Sequence, residues 1–259
     1  MVFILSIVRR RFSGEIGMSK VVVFSITRDR LEYTKTCFGS FLDNGGYPNF
    51  DWYLIDNGST DGTVEWIFDW DLDDYLNWYY RFDTNQGLSK AYNYGIKKIF
   101  EPPQNNYDYV VHFDNDCFVI TPKTLSSIIA IYEKYPQFRD WVLSPQVAGL
   151  QNQPMRHKMY TPDNEIPLLS ETVIGEVHNI GHLFMVVPTH IYRKFILNGG
   201  YPESMAKARG QDVYFCEWLR SNGYHVGYVE NLVVQHYRTV HQQALDYPEY
   251  WKRKREEQS

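Results

Sequence analysis

Four short apolar runs, each followed by a stretch that leads into a helix or turn, restrict this chain to few folds. Lys20 to Ile26 contains Val-Val-Val-Phe-Ser-Ile, apolar on both faces as in strands buried inside a parallel sheet. Leu31 to Leu42 follows with helical spacing and stops at Asn44-Gly45-Gly46. Phe50 to Ile55 is a second strand, and the dense turn signal Asp56-Asn57-Gly58-Ser59-Thr60-Asp61-Gly62-Thr63 leads into a helix around Val64 to Phe68. Trp78 to Phe82 is a third strand. Asn85-Gln86-Gly87-Leu88 then opens a helix to Phe100, which Pro102-Pro103 ends. Tyr109 to Phe113 is the fourth strand. Strands alternating with helices at this spacing build βαβ units, so the fold class is α/β: a doubly wound, mostly parallel sheet with helices on both faces.

Beyond Pro122 the pattern predicts a helix to Tyr135, a strand at Trp141 to Ser144 and a strand at Gly181 to Val187. A helix at Thr189 to Leu197, a loop at Gly199 to Gly210, a helix at Asp212 to Ser221 and a strand at His225 to Val229 complete the pattern. Residues 146–178 read as irregular, polar and proline-containing, which in a compact domain suits a substrate-binding loop or lid. The tail from Arg238 is polar, and the charge run Trp251 to Glu257 reads as a solvated helix or frayed end.

Composition narrows the class. With 44% hydrophobic and 22% charged residues in 259, the chain can bury a full core as an ordinary soluble domain. A net charge of −5 argues against a generic nucleic-acid binder. Cys37, Cys117 and Cys216 have no metal-type spacing and read as reduced thiols of a cytoplasmic protein. Met1 to Val8 is apolar and followed by Arg9-Arg10-Arg11, the reverse of a secretory signal and too short to span a bilayer. Residues 1–17 therefore read as a poorly structured extension before a natural start at Met18, with no integral membrane association.

The fourth strand ends abruptly in Asp114-Asn115-Asp116. Carboxylates at the end of a buried strand are costly to desolvate unless something neutralises them. Ligands of open α/β sheets bind beyond the carboxyl ends of the strands. Hard oxygen donors there suit Mg²⁺ or Mn²⁺, which in turn hold phosphates. An Asx-rich turn satisfying its own backbone is the other reading of these three residues.

Together these motifs resemble family 2 glycosyltransferases of the GT-A fold, over roughly residues 20–236. The likeness rests on Thr27-Arg28 after the first strand, on Asp56 to Thr63, and on Asn85 to Gly95. It rests further on Asp114-Asn115-Asp116, Gly210-Gln211-Asp212 and Val234-Gln235-His236. The resemblance implies a nucleotide-sugar-binding half over residues 18–121, an acceptor-binding and catalytic half over 122–240, and a polar tail over 241–259.

It also implies roles. Thr27, Arg28, Asp56, Asn85, Gly87, Asp114 and Asn115 would meet the donor, Arg28 pairing with a phosphate or with Asp56. Asp114, Asp116 and His236 would hold Mn²⁺ or Mg²⁺, and Asp212 would be the general base of an inverting transfer. Capping or turn roles stand beside these for Asp56, Asn85, Asn93 and Asp212, and packing stands beside ligation for His236. Gly87 and Gly95 suit close helix–sheet approach. His182 falls at the floor of the sugar pocket and His112 inside the sheet. Tyr214 and Trp218 could stack on an acceptor ring or pack their helix, the latter favoured for Trp218. Gln211 stands where the family usually has Glu, which puts any role of that Glu in doubt.

Three functions remain open at this point. The first is metal-dependent, inverting transfer from a UDP-sugar to a hydroxyl of a glycan or other glycoconjugate. The second moves the acceptor to a hydroxymethylated or glycosylated DNA base, with Lys207, Arg209 and Arg156-His157-Lys158 as a phosphate-binding rim. The third is a non-catalytic carbohydrate- or nucleotide-binding module, against which the intact Asp114, Asp116 and Asp212 speak.

Overall fold

A computed structural model describes residues 18–69, 75–102, 106–149, 154–160, 173–205, 210–237 and 240–256. The expected 1–17 extension lies outside them. β1 (Val21–Thr27), β2 (Phe50–Asp56), β3 (Leu76–Arg81) and β4 (Tyr109–Phe113) pair in parallel in the order β3-β2-β1-β4. α1 (Leu31–Asn44), α2 (Thr63–Asp69) and α3 (Leu88–Ile99) connect them. The register places Thr27 opposite Asp56, so these strands deliver their last residues to one rim.

The second half enters the same sheet differently. After β5 (Cys117–Val119), α4 (Thr124–Lys134) and β6 (Trp141–Ala148), β9 (Phe184–Pro188) inserts antiparallel between β4 and β6. This reversal matters for the site. Phe113 pairs with Phe184, so the turn before β9 meets the turn after β4, and the Asp114 amide donates to the Leu183 carbonyl at 3.1 Å. α5 (Thr189–Leu197) and α6 (Gln211–Ser221) precede the long β10 (His225–His236), which runs parallel to β6 with a register shift between Val229 and Val233. Antiparallel pairing with β5 places His236 opposite Cys117.

The large aromatic content sits mostly in the core. Phe38, Phe41, Trp52, Phe113 and Phe184 form one buried cluster between α1 and the sheet. Trp218 packs on Phe195, Phe215 and Tyr224, and Tyr214 lies near Phe195 and Tyr201. Glycine is required where α3 crosses the sheet: a Cβ at Gly95 would overlap the Phe24 ring and stand 3.0 Å from Ile55 Cδ1.

Two sequence expectations need correction. Within residues 146–178, described as irregular above, β6 continues to Ala148, and β7 (Lys158–Tyr160) pairs with β8 (Ile174–Glu176) to extend the sheet edge. Residues 150–153 and 161–172 of that stretch lie outside the described residues. The polar tail is likewise not simply solvated. It forms α7 (Val240–Asp246) and α8 (Pro248–Glu256), which fold back with Gln243 and Tyr250 buried. No described helix is long and apolar enough to cross a membrane.

Candidate active site

The loop after β2 is built by its own polar residues. Asp56 is fully buried, and its Oδ1 accepts from the amides of Gly58 and Ser59 at 3.2 and 2.9 Å. Thr27 Oγ1 donates to Asp56 Oδ2 at 3.2 Å, and Arg81 Nε lies 3.7 Å from Oδ1. Burial pushes the Asp56 carboxyl up despite these partners. Asp61 serves two elements, capping Thr63 and accepting from the Leu31 amide at the start of α1. Gly58 (φ 84°) is obligatory, because a Cβ there would meet the backbone of Thr84 at 2.7 Å. Asn57 bonds both Asn85 (2.9 Å) and the Gln86 amide (2.9 Å), and Asn85 accepts from Gly87 N at 3.0 Å. The turn roles held open for Asp56 and Asn85 are thus present in the structure.

A second loop turns a cation inward. Asp29 and Arg30 both adopt left-handed backbone (φ 51° and 61°), a conformation that costs an L-residue roughly 1–2 kcal/mol. Asp29 is held there by the Thr60 amide and the Ser59 hydroxyl, each at 2.8 Å. Arg30, only 8% exposed, then reaches Asp116 Oδ2 (2.9 Å), Asn115 Oδ1 (2.8 Å) and Gln243 Oε1 (2.9 Å).

Around these loops opens a cleft of about 380 Å³, within the usual size of a small-molecule site. Its wall includes Thr27, Arg28, Asn57, Asn85, Asp114, Asn115, Asp116, His182, Asp212 and His236. The structure therefore brings together nearly every residue expected from sequence. Asp56 stands fully buried beneath its loop, and Gly87 (φ 82°) opens α3.

Charge in the cleft is uneven. Burial and the neighbouring Asp116 charge raise Asp114 to about 7, against the pull of Arg30, while Tyr92 donates to its Oδ1 at 3.5 Å. Burial also acts on Asp116, yet Arg30 and His236 outweigh it and hold that carboxyl at about 2. His236 Nε2 lies 3.8 Å from Asp116 Oδ2. Asp212 enters from the first turn of α6, after Gly210 (φ 86°), and faces Gly181 with Oδ2 4.0 Å from where a Cβ would stand. Gln211 is buried and donates to Ser89 Oγ at 3.2 Å. Beneath the cleft His182 lies 2.9 Å from the Tyr201 hydroxyl and stacks on His112, and burial lowers both imidazoles, His182 to about 4. Asn93 clamps Tyr201 by two backbone bonds, 2.7 and 2.8 Å.

The donor set suits a hard divalent cation of the Mg²⁺ type, which takes one or two carboxylates plus water and phosphate oxygens and needs no complete protein cage. Asp114, Asp116 and His236 all line the cleft, and Asp114 feels the charges of Asp116 and Asp212 against the pull of Arg30. Among the described residues no group of three or more His, Cys, Asp or Glu side chains forms such a cage.

Several wall residues had no sequence assignment: Arg30 from the β1 loop, Tyr92 from α3, and Gln243, Tyr250, Trp251 and Lys254 from the C-terminal helices. The available signal for the last group was an aromatic pair, Tyr250-Trp251, inside a charged run. Of the basic rim suggested for DNA, the described residues Arg156, His157 and Lys158 do not line the cleft. Arg156 is paired with Glu230 at 2.8 Å and lies over Tyr228, and His157 stacks on His178. Lys207 and Arg209 fall outside the described residues.

Residues 22–198 match the sequence model of Glycosyl transferase family 2. No match was found among curated proteins. Among solved structures, S. aureus TarS superposes with a TM-score of 0.61 at 17% identity, covering 85% of this chain and 37% of TarS. GalNAc-T7 with UDP, GalNAc and Mn²⁺ gives 0.63 at 12% identity, covering 86% and 44%. The mannosyltransferase PcManGT of Pyrobaculum calidifontis, in complex with GDP-Man and Mn²⁺, gives 0.61 at 13% identity, covering 91% and 60%. This chain thus spans between about a third and three fifths of the length of these proteins.

Proposed function

The chain belongs to glycosyl transferase family 2, and we propose that it moves a sugar from a nucleoside diphosphate, UDP by preference, to a hydroxyl of a glycan or other glycoconjugate, with inversion and a divalent metal. One observation carries this reading. Asp114 and Asp116 come from the turn after β4 and Asp212 from α6, nearly a hundred residues apart, and all three line the same cleft. Gathering three partly buried carboxylates in one cleft is unfavourable without a task that uses them.

In the proposed reaction the acceptor oxygen attacks the anomeric carbon while Asp212 takes its proton. The bond from that carbon to the diphosphate oxygen breaks, and its electron pair leaves with the nucleoside diphosphate. Asp212 lies in the first turn of α6, directly after the N-cap residue Gly210 and Gln211. Asp114, Asp116 and His236 would hold Mn²⁺ or Mg²⁺, which when bound offsets the charge gathering on the leaving group. His182 and Tyr92 shape the floor on which the reacting sugar rests. The buried, unbridged Cys37, Cys117 and Cys216 support a reducing, cytoplasmic setting.

A thermal-shift panel of UDP, GDP and their sugar conjugates, with and without Mn²⁺, tests the reading. A ligand at about 100 times its dissociation constant adds roughly 2.7 kcal/mol of apparent stability. UDP with Mn²⁺ is expected to give the largest shift, and Asp116→Asn to remain folded but lose the part that depends on Mn²⁺. Stabilisation by no nucleoside diphosphate would overturn the proposal. A larger shift with GDP would reverse the choice of nucleotide.

A further inference from the structure

Three cations converge on one ring at the cleft. The guanidinium carbon of Arg30 lies 4.9 Å from the centre of Tyr250, the ammonium of Lys254 5.7 Å, and the guanidinium carbon of Arg28 5.8 Å. Arg30 is held by Asp116 and Asn115, and all three cations line the cleft wall. A cleft wall that carries cations favours an anion settling against it. A second observation points the same way. Trp251 also lines the cleft, and its indole Nε1–H is buried with no hydrogen-bond partner among the described residues. Buried indole donors ordinarily find one.

The helix that carries these groups and α7 before it are both tied to the rest of the fold. Arg253 Nη2 pairs with Asp29 Oδ2 at 2.5 Å, and Tyr33 donates to Asp246 at 2.5 Å. Gln243 accepts from Arg30 at 2.9 Å, and Tyr33 packs edge-on against Tyr247 with ring centres 4.9 Å apart. Lys254 and Trp251 are thereby fixed on the cleft side, while Lys252 is exposed.

We propose that α8 is a wall of the donor site, in which Lys254 and Arg28 bind the diphosphate of the nucleotide and the Trp251 indole donates a hydrogen bond to it. This assignment rests on the reading that the cleft takes a nucleoside diphosphate. Charge-assisted bonds to phosphate are the strong class of hydrogen bond, so losing one cation has a measurable effect on affinity.

Calorimetric titration with UDP, GDP and the parent nucleosides in the presence of Mn²⁺ tests it, on wild type, Lys254→Gln, Trp251→Phe and the exposed control Lys252→Gln. Lys254→Gln is expected to weaken diphosphate binding about tenfold and leave nucleoside binding unchanged. Trp251→Phe keeps an aromatic ring, removes the N–H, and is expected to weaken the diphosphate several-fold; Lys252→Gln is expected to match wild type. Wild-type diphosphate affinity in Lys254→Gln, or an equal loss for nucleoside and diphosphate, overturns the assignment while leaving the donor reading intact. If wild type binds no nucleoside diphosphate, the donor reading itself fails and this assignment falls with it.

Discussion

Arg30 Nη1 donates to Asp116 Oδ2 across 2.9 Å, in a pair whose side chains are only 9% and 14% exposed. The same guanidinium holds Asn115 and Gln243, so one left-handed loop residue ties the carboxylate turn after β4 to α7. Removing one member of a buried ion pair strands the other charge and costs about 3–5 kcal/mol. Arg30→Gln should therefore lower stability by about 3 kcal/mol in urea unfolding. Adding Asp116→Asn should recover part of that loss, because the stranded carboxylate is gone. A double variant no more stable than the single one would show that the cost lies elsewhere.

Gly95 tests the seating of α3. A methyl group there would overlap the Phe24 ring and press on Ile55, both buried. Overpacking of this kind costs typically 1–3 kcal/mol, and the gain in helix propensity from Gly to Ala returns only about 0.5–1 kcal/mol. Gly95→Ala should be destabilised by about 1–2 kcal/mol. Gly39→Ala, where nothing lies within 4 Å of the new methyl, should be neutral or slightly stabilised. Equal effects at the two positions would refute the packing argument.

The contrast between what could and could not be read from sequence follows from range. The first four strands and the three cleft carboxylates are local signals: an apolar run with an acidic end, or an Asp just inside a helix. For Asp114 and Asp116 the place followed from the parallel order, in which carboxyl ends share a rim; Asp212 arrives on α6, beyond the antiparallel β9. The insertion of β9 was not legible, because antiparallel pairing of Phe113 with Phe184 is decided by contacts 71 positions apart (184 − 113). The seating of α8 was not legible for a similar reason. Nearly all of Pro248–Glu256 is polar, and what seats it is Tyr250 against Arg30 and Arg253 against Asp29, both partners more than two hundred residues away. Arg30 was passed over as loop because its direction depends on two consecutive positive φ angles that no residue pattern announces for Asp-Arg.

His182 supplies a pH signature. Burial holds its imidazole at about 4 in the fold, against 6.5 for a free side chain. Between those values the unfolded chain binds the extra proton. The stability that neutral His182 contributes is thus full above 6.5 and is lost as pH falls toward 4. At 1.36 kcal/mol per unit the loss is on the order of 3 kcal/mol. Urea unfolding of wild type and His182→Gln from pH 7 to 4 should show the wild-type advantage shrinking by that order. Parallel curves would mean that His182 protonates in the fold as readily as in the unfolded chain.

Asp212 bears most directly on chemistry. It lies in the first turn of α6, lines the cleft with Asp114, and sits beside Gly181, its Oδ2 4.0 Å from where a Cβ there would stand. Asp212→Asn keeps the shape and much of the helix-terminal favourability, so fold and donor affinity should survive. General-base catalysis is worth about 10²–10⁴-fold, and transfer should fall by that order with KM for the donor little changed. A helix-capping role alone predicts the opposite, an Asn variant close to wild type in rate. Product analysis that resolves the anomers adds the second half of the test: an inverted product in wild type agrees with a base opposite the leaving group, and retention does not. A variant that keeps more than about a tenth of the wild-type rate would remove Asp212 from the chemistry. The proposed inverting step would then have no base among the carboxylates of the cleft, since Asp114 and Asp116 are assigned to the metal and the leaving group.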